Sequence, residues 1–271
     1  MQITPGAMSN GTFLRRLCVA GFTLAESTYR RDERIRPHAH AHAKISFILA
    51  GGTSETVCRT EHRCAAGSAV IKPSDADHSN VFGPVGMRTL VTYRTDRGDS
   101  EFVDWHTALA TYRWIHTGPV IRHLVAICRL FGQALPGHTE AIEERLYSLM
   151  EAIRSDVVPT TPRRSPPWLK SVREYLHAHF TQPIEVRSLA VMAGTHPVYL
   201  ARVFRRHLGC SVTEYVQRLR TRHAASQLAT SREAIGRVAM ASGFADHAHL
   251  CRVFKSEMGI TPGAYRKIVS E

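Results

Sequence analysis

The stretch LAVMAGTHPVYLARVFRRHLGCSVTEY, Leu189 to Tyr215, and the stretch VAMASGFADHAHLCRVFKSEMGITPGAY, Val238 to Tyr265, are two versions of one pattern. Each has an Ala (Ala190, Ala239) followed four residues later by a Gly (Gly194, Gly243), then a short turn, then Leu-x-Arg-Val-Phe-[Arg/Lys], then a Gly and a Tyr. Leu200, Arg202, Val203, Phe204, Gly209 and Tyr215 correspond to Leu250, Arg252, Val253, Phe254, Gly259 and Tyr265 at one constant offset, while the Ala and Gly correspond at an offset one residue shorter. The second copy therefore carries one extra residue in its turn.

Each copy follows the physical grammar of a helix-turn-helix. A small Ala in the first helix lets the second cross it closely, and a Gly absorbs the positive φ where the first helix ends. The second helices open on polar caps, Thr195-His196-Pro197 and Asp246-His247, with Pro tolerated early in a helix. Leu200, Val203, Phe204 and Leu208 recur at helical spacing and form a buried stripe, as do Leu250, Val253, Phe254 and Met258. His196, Val198, Tyr199, Arg202, Arg205 and Arg206 are left outside in the first copy; His247, His249, Arg252, Lys255 and Ser256 are left outside in the second. Between the copies, Ser211 to Leu228 reads as one helix. Its roughly 18 residues span about 27 Å, close to the ~34 Å repeat of duplex DNA, so two reading helices can enter successive major grooves.

The charge distribution agrees. The chain has 271 residues and a formal net charge of +12. From Pro166 onward Lys and Arg number 15 against 7 acidic residues, so the excess lies where the repeats are. A polyanion is the expected partner.

These residues carry a family resemblance. Arg220-x-x-x-Ala224-x-x-x-Leu228, Ile235-x-x-Val238-Ala239-x-x-x-Gly243-Phe244-x-Asp246, His249-Leu250-x-Arg252-x-Phe254-Lys255, Gly259-Ile260-Thr261-Pro262 and Tyr265-Arg266 resemble the AraC/XylS family of bacterial transcription regulators. The match covers about 100 residues, closest in the second copy; Leu250 stands where many members carry Phe. The resemblance implies an all-α domain in which a linker helix joins two helix-turn-helix units that bind promoter DNA. Arg202 and Arg252 are the leading base-reading candidates, because a guanidinium can bond a guanine edge through two donors. His196, Val198, Tyr199, His247 and His249 are further base candidates, and Arg205, Arg206 and Lys255 are phosphate candidates.

The remaining chain has a different texture. Phe13 to Tyr93 is short, alternating and β-rich, with ISFILAGG from Ile45 and SAVIKP from Ser68 as buried strands. A hairpin tip is expected at Thr60-Glu61-His62, flanked by Cys58 and Cys64. The run PHAHAHAKISFILAGG, followed by Gly67-x5-Pro73-x4-His78, resembles the two motifs of the cupin barrel, the usual sensory domain of this family. Asp104 to Ile115, Val120 to Leu135 and Thr139 to Ile153 read as amphipathic helices. Leu124, Ile127, Cys128 and Phe131 there suit either a dimer seam or a cover for the open side of the barrel. Ser155 to Pro167 is Pro-rich and aperiodic, and reads as a linker. Trp168 to Phe180 then begins the DNA-binding domain, with Trp168, Val172, Tyr175, Leu176 and Phe180 on one face.

The expected fold is thus two-domain: a cupin-like β-barrel with a helical hairpin over residues 1–154, a linker over 155–167, and a double helix-turn-helix domain over 168–271. The expected function is a sequence-specific DNA-binding regulator that responds to a small effector in the barrel. Expected partners are promoter DNA, the effector, a second copy in a homodimer, and RNA polymerase. The alternative is a metal-dependent cupin enzyme with a fused DNA-binding domain. His38, His40 and His42 alternate, so on a strand they share a face, and the cupin resemblance implies His40, His42 and His78 as metal positions. The carboxylate that the resemblance requires after the His pair is missing, since Lys44, Ile45, Ser46 and Phe47 stand there; Asp75 or Asp77 would have to replace it. A ligand pocket or a solvated histidine strand are the other readings. No nucleophile-and-base grouping and no phosphate loop is found, so no enzyme is expected. The six cysteines are scattered without a C-x-x-C pair, which argues against a disulfide framework or zinc knuckle. No apolar run approaches membrane length and the N-terminus lacks signal-peptide features, so a cytoplasmic protein is expected.

Overall fold

A computed structural model describes residues 11–94, 105–133, 138–155 and 165–270. The architecture is two-domain, an antiparallel sheet with a helical hairpin followed by an all-helical domain.

The sheet comprises β1 (Thr12–Val19), β2 (Phe22–Tyr29), β3 (Arg34–His38), β4 (Lys44–Val57), β5 (Thr60–Ala65), β6 (Ala69–Lys72), β7 (His78–Arg94) and β8 (Arg113–Ile115). Its order is β1-β2-β7-β4-β6-β8, with β3 paired to β7 and β5 to β4. The two long strands organise it. The first part of β7 takes β3, where His38 faces His78, and the remainder takes β2. In the same way, β4 takes β6 along its first residues and β5 along its last. Because β2, β6 and the start of β4 are buried on both faces, their residues read as continuous apolar runs rather than alternation. The β4–β5 hairpin turns at Cys58 and Arg59, both at positive φ, rather than at Thr60-Glu61-His62, which belong to β5. Cys64 is buried and Cys58 exposed.

The expected helix from Asp104 to Ile115 is corrected. Asp104 lies outside the described residues, α1 (Trp105–Ala108) is a single turn, and Arg113, Trp114 and Ile115 form β8 on the edge of β6. Aromatic and β-branched residues beside an open sheet edge pair with it more favourably than they extend one helical turn. The hairpin itself forms as α2 (Pro119–Gly132) and α3 (His138–Ser155). Leu124, Ile127 and Cys128 are buried together with Ile142, Leu146 and Leu149 against the sheet, so these three positions cover the sheet, while Phe131 is half-buried at its margin.

Most of the expected linker lies outside the described residues. Beyond it come α4 (Pro167–His179), α5 (Val186–Met192), α6 (Pro197–Leu208), α7 (Val212–Thr230), α8 (Ile235–Ala241), α9 (His247–Met258) and α10 (Pro262–Ser270). α4 buries Leu169, Val172 and Leu176, whereas Tyr175 is exposed, a rotation of the expected face. The linker helix α7 is capped by a reciprocal pair: Ser211 Oγ accepts from the Glu214 amide, and the Glu214 carboxylate accepts from the Ser211 amide. Arg220 of α7 donates to the Phe180 and Gln182 carbonyls, tying the linker helix to the turn after α4.

The two helix-turn-helix units have different surroundings. The first has its own core of Leu169, Leu176, Leu189, Leu200, Phe204 and Val216. The core of the second is continuous with that of the sheet domain through Ala224, Ala225, Met258 and Tyr265. Three interdomain bonds reinforce this docking: Arg122 to the Ser256 carbonyl at 3.0 Å, Arg88 to the Ile268 carbonyl at 3.0 Å, and Arg222 to the Arg63 carbonyl at 3.4 Å.

Candidate functional site

In each helix-turn-helix the fold presents the second helix outward on a fixed frame. Ala190 and Ala239 are buried at the crossings of α5 with α6 and of α8 with α9. α6 starts at His196, whose Nδ1 accepts from the Val198 amide, and α9 starts at Asp246, whose carboxylate accepts from the His249 amide at 2.7 Å. Both helices end on a left-handed glycine, Gly209 and Gly259. Leu200, Val203 and Phe204 are buried on α6; Leu250, Phe254 and Met258 are buried on α9, where Val253 is half-buried.

The outward faces carry the residues expected there. His196, Val198, Tyr199, Arg202, Arg205 and Arg206 are exposed on α6, and His247, Arg252 and Lys255 on α9. His249 is half-buried, with its ring edge-on to Phe244. The two arginines differ in their constraint. The Arg202 guanidinium lies 5.6 Å from the Tyr199 ring centre, a cation–π contact that holds it over the first turn of α6. Among the described residues no carboxylate or carbonyl holds Arg252, so its donors face outward. Arg205 has a long contact, 3.9 Å, to Glu214. Both faces join cationic donors to aromatic or imidazole side chains, with the Asp246 carboxylate taken up by its capping bond to the His249 amide, which is the chemistry of a surface for phosphate and base edges.

A second cluster lies inside the sheet domain. His38, His40 and His78 come together, with one ring nitrogen of each within 4.8 Å of the others. His42 does not join them; its ring stacks beside Tyr93 at 6.2 Å. The expected set of His40, His42 and His78 is therefore corrected to His38, His40 and His78. The reason is local: β3 ends at His38, and the chain leaves extended geometry before β4 begins, so the alternation that would align His38, His40 and His42 stops. Asp75 and Asp77 are exposed and do not enter the cluster.

The cluster's surroundings are cationic as well as imidazole-rich. Lys44 Nζ lies 2.6 Å from His40 Nε2, and Lys72 is paired with the buried Glu55 carboxylate. Nδ1 of His38 bonds the Arg36 carbonyl and Nδ1 of His78 bonds the Ala76 carbonyl, which assigns the proton of each ring to Nδ1 and leaves Nε2 as an acceptor. Burial keeps these rings neutral, lowering His40 to about 2 and His78 to about 3, with Lys44 the next contributor for His40 and Lys72 for His78. Burial likewise pushes Lys44 well below its ordinary value. Three imidazoles are the right donors for a divalent ion, but Lys44 already occupies the lone pair of His40 and Lys72 faces the same cavity. The Lys72 ammonium opposes a cation there, and Lys44 must release His40 before that ring can ligate, so the donor set does not fit a metal. The sequence had flagged Lys44 as an obstacle; Glu55, Lys72 and Asn80 were not identified, since they reach the cavity from β4, β6 and β7 through pairings of long sequence separation.

Comparisons with known proteins bear on the helical half most directly. A family model described as a helix-turn-helix domain matches residues 189–268. The regulatory protein SoxS of Salmonella typhimurium is 31% identical over 98 residues, which are 36% of this chain and 92% of SoxS. YpdC, an uncharacterized HTH-type transcriptional regulator of Escherichia coli, is 27% identical over 237 residues, 82% of this chain and 81% of YpdC. AdaA of Bacillus subtilis, a bifunctional transcriptional activator and DNA repair enzyme, is 30% identical over 101 residues, and the match spans 48% of its length, about half. Among the described residues no helix is long and apolar enough to cross a membrane.

Proposed function

Because the chain belongs to the AraC/XylS family of transcription regulators, we propose that it is a sequence-specific DNA-binding regulator whose two reading helices are α6 and α9. The observation that carries this reading is the pair of outward faces at equivalent positions of a duplicated unit, with Arg202 and Arg252 at matching places. In this reading α7 is the spacer: 19 residues long, it spans roughly 28 Å, the scale on which two helices reach successive grooves of one duplex face. Arg252 and Arg202 read base edges; His196, Val198, Tyr199, His247 and His249 add contacts around them; Arg205, Arg206 and Lys255 hold phosphates.

The sheet domain is the sensory half, a cupin-like barrel whose internal polar cavity receives a small effector. Support comes from the joined core and the three arginine bonds that link the sheet domain to α7, α9 and α10, which give a ligand in one half a mechanical route to the other. The DNA-binding half folds as a unit from about residue 168, a reading supported by the helix-turn-helix family model over residues 189–268 and by SoxS, 92% of which matches only 98 residues of this chain.

The test is selection of binding sites from a random duplex library by the full chain, followed by anisotropy titration of Arg202→Ala and Arg252→Ala. Each variant is expected to lose about 1–3 kcal/mol on the selected site and much less on random duplex. Equal losses on both would reduce these arginines to phosphate contacts. Failure of the library to enrich any site would remove the reading altogether.

A further inference from the structure

A cavity of about 190 Å³ lies where the sheet, the end of α2 and α10 meet. It is on the opposite side of the sheet from the internal polar cavity. Adjacent residues of a strand point to opposite faces, and Leu49 and Leu90 line the junction cavity while their neighbours Ile48 and Thr89 line the internal one. Both halves of the chain build its apolar walls. Leu49 and Leu90 come from β4 and β7, Cys128 and Phe131 from α2, and Ile268 from α10.

The charges around these walls do not balance. Glu26 is the one acid among the described lining residues, and two guanidinium groups already serve its buried carboxylate, Arg15 Nε at 2.5 Å and Arg88 Nε at 3.4 Å. The Arg15 guanidinium also lies 4.9 Å from the centre of the Phe131 ring, which joins it to the apolar wall. Arg129 of α2 and Lys267 of α10 line the cavity as well, both exposed. Among the described residues no carboxylate or carbonyl holds either of them. Exposed cations are stable without a partner, so the pair does not by itself require a ligand. What it does is set the sign of a ligand that the apolar walls admit.

We propose that this junction cavity binds a compact apolar monocarboxylate, with its body against Leu49, Leu90, Phe131 and Ile268 and its carboxylate held by Arg129 and Lys267. Size selects the body. An apolar cavity of about 150 Å³ is enough to hold benzene, so one of about 190 Å³ accommodates a ring bearing a single carboxylate and not a long acyl chain. Charge selects the head. A neutral molecule of the same shape leaves Arg129 and Lys267 unused, a cation is opposed by both, and a second carboxylate would be desolvated against the apolar walls or beside Glu26. Because α10 supplies one wall and the sheet and α2 supply the others, a ligand seated there favours the arrangement in which the two halves are docked. The site is separate from the internal cavity and does not depend on an effector being bound there.

The experiment uses the full chain with cyclohexanecarboxylate as the probe. Titration calorimetry and thermal shift compare it with cyclohexanecarboxamide, which keeps the shape without the charge, and with acetate, which keeps the charge without the body. Cyclohexanecarboxylate is expected to raise the melting temperature and to bind about tenfold more tightly than the carboxamide, the scale of one hydrogen bond to a charged group. Acetate is expected to bind at least about tenfold more weakly than the probe, because it leaves the apolar walls uncovered. Arg129→Met and Lys267→Met are each expected to weaken the carboxylate about fivefold and to leave the carboxamide unchanged, a split that a merely structural role would not produce. Both positions are exposed, so the variants keep the fold, which circular dichroism checks. Equal binding of carboxylate and carboxamide, binding of neither, or undiminished carboxylate binding in the double variant would each overturn the proposal; the last would seat the ligand elsewhere, the internal cavity included. DNA binding by the same preparation is measured separately, so that loss of the ligand claim with intact DNA binding leaves the regulator reading standing.

Discussion

Gly67 sits where the sheet domain meets the second helix-turn-helix, and replacing it with Ala tests that docking. Its φ is +83°, and a Cβ built there would lie 2.9 Å from Ala225 Cβ on α7 and 3.3 Å from the Tyr265 hydroxyl on α10. Two costs follow. Holding an L-residue in the left-handed region costs about 1–2 kcal/mol. A carbon pair well inside its ~3.5–4.0 Å optimum adds about 1–3 kcal/mol of overpacking, because Ala225 sits on a helix that is buried on this side and cannot yield. Gly67→Ala is therefore expected to destabilise the chain by roughly 2–5 kcal/mol in urea unfolding. The two parts separate in a double-mutant cycle. Ala225→Gly by itself costs about 1 kcal/mol for glycine within a helix, but in the presence of Gly67→Ala it also removes the overlap. The coupling between the two substitutions should therefore be favourable by about 1–3 kcal/mol. Strict additivity, within about 0.5 kcal/mol, would show that the two methyl groups do not meet in solution and would refute the docking of the two halves through this turn.

Asp246→Ala removes the cap of α9 and should cost about 1 kcal/mol while Asp246→Asn retains most of it; the amide of His249, bonded to Asp246 at 2.7 Å, should exchange faster in the Ala variant only. The buried side of His116 gives a pH signature. Its Nδ1 lies 2.9 Å from Ser68 Oγ, and burial, followed by the nearby Arg222, lowers its pKa to about 3 from an ordinary 6.5. A base whose folded value is depressed imposes no penalty above pH 6.5. Below that pH the unfolded chain takes up a proton that the folded chain refuses, so stability falls as pH drops towards 3, by up to ~1.4 kcal/mol per pH unit. His40 and His78 act in the same direction. Chemical unfolding at pH 7.5, 6.5 and 5.5 should show the decline below the second point, and His116→Gln should remove one histidine's share of the slope; an unchanged slope would exclude His116 as a contributor.

Much of the helical half was legible in the sequence because its determinants are local. The repeated Ala-x-x-x-Gly spacing, the Asp246 cap, the Ser211–Glu214 pair and the i, i+3, i+4 apolar stripes each act within one or two turns of a helix, so residue order alone specifies which side chains face out. The outward positions of Arg202 and Arg252 follow from that periodicity and from nothing farther away. The rotation of α4, with Leu169 inside and Tyr175 outside, shows where local reading stops: an aromatic and an aliphatic residue both fit an apolar stripe, and the neighbouring helices decide between them.

What the tertiary structure alone decided is long-range. Residues 113–115 became β8 because an edge of β6 was free to receive them, a fact absent from the periodicity of the segment. The histidine set changed from His40, His42 and His78 to His38, His40 and His78 because the end of β3, not the alternation of the sequence, determines where the rings point. Lys72, Glu55 and Asn80 meet Lys44 and the histidines only through the pairings of β4 with β6 and of β4 with β7, which close over long stretches of chain. Helical faces are written at a spacing of three or four residues and can be read from order; the contents of a cavity depend on strand register, where a shift of one residue sends every side chain to the opposite face, and only the folded sheet fixes that register.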